Sequence, residues 1–79
     1  MVEAIILTKV DAGKDQEVLE KAKIIRGVKH ACATYGVYDL FIQVNFQSIE
    51  ALDRFVFHEL RAIPFVRETV TLVCSTFVC

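Results

Sequence analysis

The spacing of apolar positions changes along the chain, and each change predicts an element. Val2 to Val10 is rich in β-branched residues, with Ala4 and Ile6 on one face and Ile5 and Leu7 on the other. Apolar side chains on both faces predict a central strand, ended by the turn residues Asp11-Ala12-Gly13. From Lys14 the period becomes helical: Val18, Leu19, Ala22 and Ile25 share one stripe, while Lys14, Asp15, Glu17, Glu20, Lys21 and Lys23 point elsewhere. Arg26-Gly27 stops this helix, glycine being suited to the position just past a helix end. Val28 to Tyr35 reads as a second strand and Asp39 to Gln47 as a third. In the third, Leu40, Ile42, Val44 and Phe46 face one way and Phe41, Gln43, Asn45 and Gln47 the other. Ser48 is placed to cap a second helix, with Glu50 in the first turn where the helix dipole favours an anion. Leu52, Phe55, Val56, Leu60 and Ile63 form its buried stripe, Phe57 falls outside it, and Pro64 ends it. Phe57 is read as a boundary residue, with an oligomer contact as the alternative. Arg67 to Phe77 completes the chain as a fourth strand, with Val70, Leu72 and Cys74 on one face and Thr69, Thr71, Val73 and Ser75 on the other. The apolar Phe77-Val78-Cys79 is expected to dock on another surface.

An internal repeat organises these elements. Ile25-Arg26-Gly27-Val28-Lys29 lines up with Ile63-Pro64-Phe65-Val66-Arg67, and each half is strand, helix, strand. Two such halves predict an α+β fold: the ferredoxin-like βαββαβ sandwich, an antiparallel four-stranded sheet with both helices on one face. Its other face, carrying Phe41, is left bare. A chain of 79 residues buries only roughly 60–65% of its unfolded surface, yet 54% of its residues are hydrophobic. That excess predicts self-association, with the bare sheet face stacked on a second copy.

Charge and cysteine usage narrow the function classes. Nine basic residues against ten acidic ones leave a formal charge of -1, and no dense basic cluster stands out, so direct nucleic-acid binding is disfavoured. The apolar runs are too short to span a membrane, and the chain opens directly into a strand without a signal-peptide pattern, which predicts a cytoplasmic protein. Cys32, Cys74 and Cys79 form no C-x-x-C and read as small apolar residues of a reducing compartment. His30 and His58 lie in different elements and read as surface or edge residues. No metal and no cofactor is expected. No nucleophile with a base, and no pair of carboxylates in contrasting environments, falls on one plausible surface, so the chain is not read as an enzyme. The alternative is a small dimeric barrel enzyme acting on a hydrophobic substrate, which needs a titratable group inside an enclosed cavity.

The candidate site is the central turn Tyr35-Gly36-Val37-Tyr38-Asp39. Gly36 supplies positive φ, Asp39 can accept an α-ammonium, and the amides around Gly36 and Val37 can hold an α-carboxylate. Thr69 and Thr71 can add hydroxyls if a neighbouring subunit brings its fourth strand nearby. The competing readings are a turn aspartate bonded to its own backbone and ordinary β-branched strand residues.

Taken in order, A-I-I-L-T-K-V followed by A-G-K, R-G-V-K before the second strand, Gly36-x-Tyr38-Asp39-Leu40, and Ile63-Pro64-x-Val66 leading to T-V-T-L-V give the chain a wider likeness. From Val2 to about Phe77 it resembles the effector-binding module, or RAM domain, of the Lrp/AsnC transcription regulators. The resemblance implies a ferredoxin-like fold, dimers that pair through their sheets, and assembly into an octamer or similar ring with amino-acid effectors bound between dimers. It assigns Gly36, Tyr38 and Asp39 to that site, and Thr69 and Thr71 less directly. Two departures stand out. Residue 1 already starts the sheet, which predicts a single domain over residues 1–79 with no DNA-binding domain, acting by co-assembly with full-length regulators. Phe65 stands where such modules usually carry glycine, which predicts a turn that avoids the left-handed region.

Overall fold

The computed structural model describes residues 1–75. Phe77, Val78 and Cys79, with their expected docking, lie outside the described residues. The elements are β1 (Val2–Val10), α1 (Asp15–Ala22), β2 (Val28–Ala33), β3 (Leu40–Phe46), α2 (Ile49–Arg54, continuing as a π-helical stretch over Phe55–Leu60) and β4 (Val66–Val73). The strands form one antiparallel sheet in the order β2-β3-β1-β4, so β1 is central as its two apolar faces predicted. This is the ferredoxin-like α+β arrangement.

Alternation decides which side of each strand is buried. Ala4, Ile6, Thr8 and Val10 of β1 and Leu40, Ile42 and Val44 of β3 point to the helical side. There they meet Val18 and Ala22 of α1 and Leu52, Phe55, Val56 and Leu60 of α2, with Ile63 just beyond it. Each large side chain buried here contributes about 1.5–3 kcal/mol. Thr8 is the exception in chemistry: its buried Oγ1 has no hydrogen-bond partner among the described residues, at a cost of about 1–3 kcal/mol. The opposite face carries two mainly apolar cross-strand rows. Cys32, Phe41, Leu7 and Val70 make the first; His30, Gln43, Ile5 and Leu72 make the second. Beside them Glu3 and Asn45 sit opposite each other, and Glu3 Oε2 and Asn45 Oδ1 are both enclosed without a donor among the described residues.

Several boundaries differ from the periodic reading, for local reasons. The first helix ends at Ala22 rather than Arg26, because Ile25 N–H bonds to Ala22 O and tightens the chain into a turn. The second strand stops at Ala33, where Thr34 turns to pair with Asp39. The second helix is capped by Ser48 Oγ, which accepts from Ala51 N at 3.1 Å. It then widens, and Arg61 N–H reaches Val56 O across five residues. Exposed charges on α1 pair along one face. Lys23 lies 3.0 Å from Glu20 and, by that hydrogen bond first and its charge second, holds the Glu20 carboxyl below its ordinary pKa.

The internal repeat turns out to be a repeated turn. Val28 N–H bonds to Ile25 O and Val66 N–H to Ile63 O, and the third residue of each turn has positive φ, +101° at Gly27 and +78° at Phe65. This is the φ pattern of a type II turn, with Pro64 at the position proline favours. The expectation that Phe65 avoids the left-handed region is therefore corrected. Its conformation is held by Asp11 N–H, which donates to Phe65 O at 2.9 Å, and by Lys14 Nζ 4.7 Å over the ring. A direct consequence is an inverted propensity at this position. Phe65→Gly is expected to be more stable than Phe65→Ala by about 1 kcal/mol, whereas glycine ordinarily costs 0.5–1 kcal/mol relative to alanine. Urea unfolding of the two variants measures the order; alanine as the more stable would exclude the left-handed conformation.

Candidate functional site

The turn between β2 and β3 is closed from its two ends. Thr34 N–H donates to Asp39 O at 2.8 Å, and Thr34 Oγ1 donates to Tyr38 O at 2.8 Å. Asp39 N–H donates to Thr8 O at 2.9 Å, tying the start of β3 to β1. Between these anchors the chain bulges outward: Gly36 takes φ +126°, Tyr35 is fully exposed and Val37 largely so. The N–H groups of Gly36 and Val37 make no hydrogen bond among the described residues.

Asp39 ties its turn to β1 and faces an open depression. Its Oδ2 accepts from Val10 N at 2.9 Å, across the end of β1, which is more than a turn aspartate bonded to its own neighbours. Its Oδ1 makes no hydrogen bond among the described residues. The carboxylate lines an open polar depression of about 420 Å³, together with Val37, Lys9, Val10, Arg67 and Glu68. Lys9 Nζ lies 5.4 Å over the Tyr38 ring, and Arg67 Nε is 3.6 Å from Asp11 Oδ1 at a separation that water weakens.

Of the residues singled out in the sequence, Val37 and Asp39 thus line one depression, with Tyr38 at its edge through Lys9. Gly36 sets the path of the turn and Tyr35 points away from the protein. Thr69 pairs with Thr8, which pairs in turn with Leu40, so it lies at the same end of the sheet. Thr71 pairs with Ile6, further from the turn. Both threonines lie on the helical side of β4, and neither lines the depression. Sequence reasoning missed Lys9, Val10, Arg67 and Glu68. The one signal available was that Lys9 and Arg67 each stand at the end of a strand; that these ends adjoin the Asp39 turn is a matter of sheet order.

Among the described residues no group of three or more His, Cys, Asp or Glu side chains converges, and no helix is long and apolar enough to cross a membrane. The Glu20 carboxyl, whose pKa is displaced, lies on exposed α1 and lines none of this depression.

A ferredoxin-like sandwich with an open sheet face carries, at one sheet end, a two-signed depression with room for a small charged molecule. Comparison with known proteins gives the family. The sequence model of the Lrp/AsnC ligand binding domain matches residues 3–78, and the chain belongs to that family of transcription-regulator domains. An uncharacterised HTH-type transcriptional regulator of Pyrococcus furiosus is 29% identical over 73 residues, covering 92% of this chain and 49% of that protein. The chain therefore spans about half the length of that regulator. Among solved structures, a hypothetical protein of Pyrococcus horikoshii superposes with a TM-score of 0.89 at 36% identity, over 98% of this chain and 93% of that one. Escherichia coli AsnC superposes with a TM-score of 0.91 at 26% identity, over 96% of this chain and 52% of that one.

Proposed function

We propose that this chain is an amino-acid-responsive regulatory module. The observation that carries the reading is Asp39: one carboxylate oxygen is pinned by Val10 N–H while the carboxylate borders a depression that also holds Lys9 and Arg67. Such a site offers an anion for an α-ammonium. It offers cations, with the neighbouring N–H groups of Gly36 and Val37, for an α-carboxylate. Membership of a ligand-binding family supports the same reading.

The module acts by assembly. Leu72 is half exposed on the open sheet face, beside Ile5, Leu7, Phe41 and Val70, and this face is the surface through which two copies pair. Pairs then associate into an octamer or similar ring in which Thr69 and Thr71 of one chain approach the Asp39 turn of another. Ring formation with longer relatives of the family transmits the effector signal to transcription.

The test is thermal unfolding at fixed protein concentration with each proteinogenic amino acid at millimolar level, followed by an external dye. An effector present at 100 times its Kd adds about 2.7 kcal/mol. That corresponds to a rise in Tm of more than about 10 °C for a domain of this size. A selective rise supports the reading and names the effector; a flat profile across all of them removes it.

A further inference from the structure

A second concavity lies at the other end of the sheet, where β3 runs into α2. Its apolar floor is formed by Phe46 and Phe55, whose ring centroids are 5.1 Å apart. The Phe46 ring lies where it does because residue 27 has no side chain: a Cβ on Gly27 would come within 2.5 Å of that ring. The groove has a volume of about 690 Å³, inside the range of roughly 300–1,000 Å³ typical of small-ligand sites. One wall is the π-helical stretch that begins at Phe55, a departure from α geometry that often marks functional sites.

The rim decides what such a groove would take. Arg26 and Arg54 stand on it, and neither has an acidic partner within ion-pair distance among the described residues. The remaining arginines are engaged, Arg67 beside Asp11 and Arg61 stacked 5.5 Å over the Phe57 ring. Within the groove the two guanidiniums outnumber the one acidic residue of the described lining, Glu59; Glu50 and Asp53 line an adjoining depression that shares Arg54, outside ion-pair distance of it. A planar guanidinium matches a carboxylate with paired hydrogen bonds, and an aromatic floor favours an apolar body.

We propose that this groove is a second binding site, for a small carboxylic acid with an aromatic or branched apolar body. It is separate from the Asp39 depression: the two share no lining residue and lie at opposite ends of β3. It does not depend on the amino-acid reading of that turn.

The experiment is an NMR titration of the amide signals with 3-phenylpropionate, repeated with 3-phenylpropan-1-ol, which keeps the apolar body and lacks the charge. The acid is expected to give saturable shifts centred on Gly27, Phe46 and His58, and the alcohol to bind at least about tenfold more weakly. Arg26→Gln and Arg54→Gln, both exposed and expected to fold, should each weaken the acid by about tenfold. Ala51→Leu should fill the groove and remove binding, and Asp39→Asn should leave it unchanged. Absence of saturable shifts at several millimolar overturns the proposal. So do shifts centred on the Tyr35 to Asp39 turn, loss of binding in Asp39→Asn, or equal affinity for acid and alcohol. A change of oligomeric state in Ala51→Leu without acid binding in the parent protein assigns the groove to a second copy and overturns the proposal as well.

Discussion

Gly27→Ala is expected to destabilise the protein by about 3 kcal/mol, lowering Tm by more than about 10 °C. Two costs combine. At φ +101° an L-residue pays about 1–2 kcal/mol for its Cβ. That Cβ also meets Cε1 and Cζ of Phe46 at 2.5 Å. The ring cannot retreat inward, because it packs on Phe55, which is 1% exposed. It must instead swing toward the open groove and give up its packing on Phe55, at about 0.5–1.5 kcal/mol. Gly36→Ala isolates the first cost, since φ there is +126° and nothing lies within 4 Å of the added carbon. Chemical denaturation of both variants should show Gly27→Ala as the more damaging by about 0.5–1.5 kcal/mol. Equal effects would mean that the Phe46 contact contributes nothing.

The second large effect is on ligand binding, and the bond from Val10 N–H to Asp39 decides which substitution reads it. Asp39→Ala removes the acceptor of Val10 N–H and costs about 1–3 kcal/mol of stability by leaving that donor unpaired. Loss of binding in that variant would mix two causes. In Asp39→Asn the side-chain carbonyl can still accept from Val10 N–H while the charge is gone. Its Tm without ligand should stay within a few degrees of the parent. Its affinity for the effector should fall at least about tenfold, the usual worth of a charged hydrogen bond to an ammonium. Calorimetric titration with the amino acid found in the thermal screen measures this. An Asp39→Asn variant that binds like the parent would take the carboxylate out of ammonium recognition and leave it the strand-end role alone.

How much of this was legible beforehand depended on the range of the interaction. The period-two run in β3 set the buried face through Leu40, Ile42 and Val44, since adjacent side chains in a strand must point oppositely. The cap at Ser48 was equally plain, because a hydroxyl and the amide three residues on are close whenever a helix begins there. The length of the first helix was not. Leu19 and Ile25 kept the apolar period beyond the point where Ile25 N–H turns back to Ala22, and periodicity cannot see a turn that reuses the same spacing. Widening of the second helix at Phe55 left no mark in its apolar stripe either.

Phe65 shows the limit most directly. Glycine is the residue that a left-handed turn position ordinarily takes, so an aromatic there argued for another conformation. Instead the turn copies the one at Gly27, and the bond from Asp11 N–H to Phe65 O supports it from a loop far away in sequence. The depression beside Asp39 divides the same way. Asp39 could be picked out because a turn between two strands calls for such a residue, but Lys9, Val10 and Arg67 come beside it by sheet order alone.

The sequence by itself thus determined the succession of elements, the buried face of β3 and the cap at Ser48, because each depends on residues within a turn or two of one another, and the order of the elements then gave the fold class. Only the tertiary structure decided what stands beside what. The order β2-β3-β1-β4 brings the ends of β1 and β4 to the Asp39 turn, and packing of Phe46 on Phe55 and against Gly27 opens the groove at the other end of the sheet. Those neighbours are set by strand register and side-chain packing, interactions whose partners no local pattern names.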